Sequence, residues 1–126
     1  MGLQLLAQIR KTTAGRTFSV SGPIAVPSGA TNYLPPFFEP VDSNSMKRLV
    51  SVRYAIRAGT SVTFAVTQNG SAVSGLSSLS ATTTPAATVP GALPAVVDGD
   101  QFAVVVSAVS GSPDGLSVTL IFETTS

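Results

Sequence analysis

The chain has 126 residues, 44% of them hydrophobic, which is length and apolar content for one domain with a single core. Charged residues make up 10% and the net charge is +1, well under the roughly 25% charged content usual for such domains, so bulk charge points to no nucleic-acid or acidic partner. With neither cysteine nor histidine, disulfides, thiolate and imidazole metal sites, and Ser-His-Asp or Cys-His catalysis are excluded.

The opening segment, MGLQLLAQIRK, is too short and lacks the leading basic residue of a secretory signal. Leu6 stands where a myristoylation site needs Ser or Thr. No apolar run approaches the roughly 20 residues that span a bilayer, so no membrane segment is expected. Leu3, Leu5, Leu6 and Ile9, followed by Arg10 and Lys11, form an apolar segment outside the alternating body. Residues 1–16 are therefore set apart as a short N-terminal arm or edge segment, either folding back on its own domain or packing on a neighbouring subunit.

The body, residues 17–126, reads as strands. From Thr17 to Val26, Phe18, Val20, Ile24 and Val26 share a side, and Pro23 confines this strand to an edge or a bend at Gly22-Pro23. Tyr33 to Val41 is apolar but broken by Pro35, Pro36 and Pro40. Of the adjacent Phe37 and Phe38, an extended chain points one inward and one outward. From Lys47 to Gly70 the alternation is clearest. Val50, Val52, Tyr54 and Ile56 oppose Ser51, Arg53 and Arg57; then Val62, Phe64 and Val66 oppose Thr63, Ala65 and Thr67. The short Ala58-Gly59-Thr60 link predicts that these two strands are antiparallel neighbours. Asn69-Gly70 predicts a tight reversal into a return strand at Ser71 to Val73, because both residues tolerate positive φ.

Leu76 to Pro94 is low in complexity, with room for a short strand between Pro85 and Pro90. Asp98-Gly99-Asp100 is a turn. Gln101 to Val109 carries Phe102, Val104, Val106 and Ala108 on one face and Ala103, Val105 and Val109 on the other. Apolar residues on both sides predict a strand covered by the core on one side and a partner on the other. Leu116 to Thr124 closes the chain with Val118, Leu120 and Phe122 inward. Roughly eight short strands with regular turn signals, and no helical period, define an all-β chain: a single antiparallel β-sandwich.

All seven Lys and Arg lie in residues 1–57, leaving +5 there and −4 in residues 58–126, and no charge falls between Ala58 and Val97. Such a stretch leaves either a weakly charged Ser/Thr exterior or a neutral surface that other proteins cover at little desolvation cost. The six carboxylates offer little chemistry. Asp42, Asp98, Asp100 and Asp114 sit in turns, where Asp bonds local backbone N–H groups. Asp98 and Asp100 lack the further acidic positions of a calcium loop. Arg10, Lys11 and Arg16 have no interleaved aromatics to suggest nucleic acid. There is no Trp to platform a sugar, and Tyr33, Phe37 and Phe38 are expected to close the core. No catalytic residue, metal ligand or cofactor is assigned. The candidate subunit-interface residues are Leu3, Leu5, Leu6, Ile9, Arg10, Val105 and Val109.

The order of the motifs carries a resemblance. V-x-x-N-G-x-x-V spans Val66, Asn69, Gly70 and Val73; Gly99-Asp100 precedes an alternating strand; D-G-L-x-V follows at Asp114, Gly115, Leu116 and Val118. Over residues 17–124 this resembles the small jelly-roll β-sandwich domains of tailed-bacteriophage virion proteins, especially minor tail, tail-tip and fibre proteins. The resemblance implies a jelly roll and a non-enzymatic part of the virion. It implies other virion proteins as partners and a homo-oligomer, with a trimer favoured. Here the domain is almost the whole chain, whereas in fibres it is commonly one module. A capsid decoration role therefore stands beside the tail role, and a receptor- or carbohydrate-binding module that meets a host surface glycan is the alternative.

Overall fold

The computed structural model describes residues 11–25 and 37–125. In chain order the strands are β1 (Lys11–Pro23), β2 (Phe37–Glu39), β3 (Met46–Ala58), β4 (Ser61–Gln68), β5 (Ser71–Ala72), β6 (Leu79–Ala81), β7 (Ala86–Thr88), β8 (Ala95–Val96), β9 (Asp100–Ser110) and β10 (Asp114–Thr125). They form two antiparallel sheets. The first runs β1-β10-β3-β7, with β8 also on β3; the second runs β2-β9-β4-β5, with β6 also on β4. Since β5 and β6 share one position and β7 and β8 another, eight positions are filled, and the chain crosses between layers at every step except β4 to β5/β6, which are neighbours in the second sheet, as in a jelly roll.

Each inner face comes from period-two alternation. Val52, Tyr54 and Ile56 on β3, Val62, Phe64 and Val66 on β4, Phe102, Val104 and Val106 on β9, and Leu116, Val118, Leu120 and Phe122 on β10 are all buried. Aromatic rings bridge the layers: Phe102 meets Phe122 edge-on at 5.1 Å, and Tyr54 meets Phe64 at 5.3 Å. Of the Phe pair, Phe37 packs against Phe18 and Phe102, while Phe38 is 67% exposed.

Four sequence expectations change. First, β3 and β4 are not sheet neighbours; β3 lies in the first sheet and β4 in the second. Gly59 (φ 100°) and Thr60 arch between the layers, so Ile56 and Val62 both face inward without pairing. Alternation marks a buried face but not which sheet owns it. Second, Leu49 rather than Val50 is inward. Phe122 pairs with Leu49 and Ile121 with Ser51, so Val50 is the extra residue of a β-bulge that reverses the faces. Third, a bulge at Ser107 does the same on β9. Thr63 pairs with Ala108 and Val62 with Val109, so Val109 takes the inner-face parity and Ala108 the outer. Fourth, the first strand starts at Lys11 rather than Thr17. Residues 11–16 pair with Leu120 to Thr125, so this part of the N-terminal stretch lies in the edge strand, as in the folding-back alternative.

Three further readings stand. Asn69 (φ 54°) and Gly70 (φ 86°) reverse the chain between Gln68 and Ser71. β1 pairs only with β10 and is an edge strand, irregular between Val20 and Pro23. A short strand, β7, fits between Pro85 and Pro90.

Candidate interaction face

The register assigns every strand residue to the core or to one of two outer faces. On the first sheet, the outward residues of β1, β10 and β3 include Lys11, Thr13, Thr17, Ser117, Thr119, Glu123, Arg48, Arg53 and Arg57. Four cations and one carboxylate make this face wet and net positive. On the second sheet, the outward residues are Phe38, Gln101, Ala103, Val105, Ala108, Thr63, Ala65, Thr67, Ala72 and Ser80. Among the described residues, no charged side chain stands on this face. The uncharged stretch of sequence supplies β4, β5 and β6 to this sheet, and β9 adds small apolar residues.

The second sheet's outer face has relief. Ala65, Thr67, Gly70, Ala72, Gln101, Ala103 and Val105 line a shallow groove of about 420 Å³. Beside it on β2, the Phe38 ring stands exposed opposite Gln101. Small side chains make the hollow, and an aromatic makes the rise. A second groove, of about 380 Å³, crosses the first sheet's outer face between Arg53, Ala55, Ser117, Thr119 and the residues of β7.

The charged groups at the Asp100 end work as ties. Glu39 is buried between the layers. It accepts hydrogen bonds from Arg16 on β1 (3.1 Å) and Lys47 on β3 (2.7 Å), so one carboxylate of the second sheet is held by two cations of the first. Lys47 also donates to the Pro40 carbonyl at 2.7 Å, and the Arg16 guanidinium lies over the Phe37 ring. Asp100 accepts from the Asn69 side chain at 2.9 Å and from the Gln68 side chain and Val97 N–H at 2.8 Å each. Burial pushes its pKa up, but those three hydrogen bonds, from Asn69, Val97 and Gln68 in that order, hold it below the usual aspartate value. Asn69 closes the loop by accepting from Gln101 N–H at 2.9 Å. Asp98 caps Val41 N–H at 2.8 Å, and Asp114 pairs with Arg57. Both Asp100 oxygens thus face N–H donors, which is the wrong polarity for a cation, and no cluster of three or more metal-ligand residues occurs among the described residues.

Of the candidate interface residues, Leu3, Leu5, Leu6, Ile9 and Arg10 lie outside the described residues. Val105 faces outward at the centre of the uncharged face, half-buried, paired with Ala65. Val109 does not join it, because the Ser107 bulge turns it toward the core side, where it is 37% exposed at the strand's end. Sequence reasoning missed Phe38 as a surface residue of this face. The adjacent Phe pair required one ring outward, and that was the available signal.

Fold and face together define a jelly-roll sandwich with one charged and one uncharged side. No protein-family model matches the chain, and no curated protein is similar to it. Among solved structures, the chain is similar to the native structure of a family 35 carbohydrate binding module from Clostridium thermocellum, at 17% identity, over 86% of this chain and 97% of that one, with a TM-score of 0.41. The fold class stands on the sheet order above, and a likeness this distant adds nothing about ligands.

Proposed function

We propose that this domain is a non-catalytic structural module that docks other protein surfaces against the outer face of its second sheet. The observation that carries the reading is the contrast between the two outer faces: one bears Lys11, Arg48, Arg53, Arg57 and Glu123, the other no charge among the described residues. Depletion of charge together with an exposed aromatic, here Phe38 on the edge strand β2, is the composition of a protein interface. The carboxylates support a non-catalytic role, since Glu39, Asp98, Asp100 and Asp114 are engaged by the protein's own donors.

The finer reading is a part of a tailed-bacteriophage virion, at the tail tip or as a capsid decoration. The motif order Asn69-Gly70, Gly99-Asp100 and Asp114-Gly115 supports it. Gold-labelled antibody against the chain, applied to whole particles, is expected to mark tail tips. Marked heads select the decoration role, and unmarked particles overturn the virion reading. A glycan-binding role has one observation in its favour, the exposed Phe38 ring beside Gln101, since a planar apolar face next to an amide suits a sugar. Binding on a glycan array that Phe38→Ala abolishes would replace protein docking with glycan recognition.

A further inference from the structure

We infer that the partner meeting the uncharged face is a second copy of this chain, with the two second sheets packed face to face and Phe38 of each copy seated in the other's groove. The inference rests on the protein-docking reading above and adds the identity of the partner.

Electrostatics select the face. A two-fold pairing brings identical patches together, so any net charge on the patch meets its own sign. On the first sheet's outer face Asp114 pairs with Arg57, and Lys11, Arg48 and Arg53 against Glu123 still leave a net positive patch that repels its own copy. Among the described residues, the second sheet's outer face has no charge to oppose. Desolvation points the same way. Ala65, Ala72 and Val105 lose water at a gain, and no ion of the described face is stripped.

Shape supplies the second argument. The face carries both a hollow and a rise: the groove of about 420 Å³ and the Phe38 ring, 67% exposed. A surface that holds knob and hole together is complementary to itself under a two-fold axis. Area sets the strength of the pairing. β9 and β4 run 11 and 8 residues, but β2, β5 and β6 only 3, 2 and 3, so strands about 4.8 Å apart rising about 3.4 Å per residue bury on the order of 900 Å² in a pair, the size of a weak, transient interface. At that size the anchor ring decides the affinity, and the dimer is expected to form at micromolar rather than nanomolar concentration.

Sedimentation velocity on the full chain, from about 1 to about 200 µM, tests this. The wild type is expected to pass from monomer to dimer. Phe38→Ala, at an exposed position that leaves folding intact, weakens the dimer about tenfold, as loss of an interface anchor does. Ala65→Arg puts two cations face to face and abolishes it, while Arg53→Ala on the opposite sheet leaves it unchanged. A monomer throughout, a trimer, or a dimer indifferent to both Phe38→Ala and Ala65→Arg overturns the inference. Failure here is separable from failure of the docking reading. A monomeric chain whose labelling of particles is lost with Ala65→Arg keeps docking and loses the second copy. A monomeric chain that binds glycan through Phe38 loses both.

Discussion

Asp100 and Glu39 show two scales at which one carboxylate ties this fold: Asp100 joins two turns, and Glu39 joins the two sheets. Asp100 gathers donors from the β4–β5 turn and the β8–β9 turn, so its protonation loosens both. Because its folded pKa lies below the unfolded value, its contribution is fully present above the ordinary aspartate pKa of about 3.9 and is lost as pH falls through the depressed folded value. Asp100→Asn keeps one acceptor but turns an amide NH₂ against a donor. The expected cost is about 1–3 kcal/mol at neutral pH, with a flatter fall in stability below about pH 4, read from urea unfolding across pH. Glu39 is the less forgiving site. Its partner Lys47 is itself mostly buried, so Glu39→Gln leaves an unmatched cation inside and is expected to cost about 3 kcal/mol or more. Arg16 is 46% exposed, and Arg16→Ala is expected to cost about 1 kcal/mol or less. Urea midpoints that rank the two substitutions the other way would contradict this account of the tie. Glu39 was not legible as a buried residue, because nothing in a Pro-rich segment announces the two cations that later enclose it.

At the scale of elements, what could be read from the sequence was the spacing, and what could not was the pairing. β4 and β10 were plain because their alternation runs unbroken from end to end. On β3 and β9 the alternation continues in the sequence, but one extra residue in each, Val50 and Ser107, reverses the faces. A bulge needs a partner strand to be visible. The arch at Gly59-Thr60 was hidden for the same reason: a link of that length fits a hairpin or a crossing between layers. What enforces the crossing is the packing of Gly59 directly against the backbone of Pro113, with Thr60 N–H bonded to the Ser110 carbonyl at 3.2 Å. Gly59→Ala therefore adds a Cβ where backbone already sits, at a positive φ. It is expected to cost well over the ~1 kcal/mol that Gly70→Ala costs, where the φ is positive but the space is open. Thermal unfolding of the two variants side by side checks the difference. The candidate face was half legible. The two-sided apolar run of β9 announced Ala103 and Val105, while the groove beside them exists only once β4 and β5 stand next to β9.

For the whole molecule, the division of charge along the chain becomes a division between faces. The cation-rich first half supplies β1 and β3 to the first sheet, and the uncharged middle supplies β4, β5 and β6 to the second. The sandwich between them is held by ordinary core packing, and Phe64→Ala, at its fully buried centre, is expected to cost about 3–5 kcal/mol. The central claim is that the uncharged side is the one this protein uses. Hydroxyl-radical footprinting of dilute and concentrated protein tests it directly, because two reactive, equally exposed side chains report on opposite sheets: Phe38 on the second and Met46 on the first. The account predicts that Phe38 becomes protected on association while Met46 keeps its reactivity. Protection of Met46 with Phe38 unchanged would contradict it.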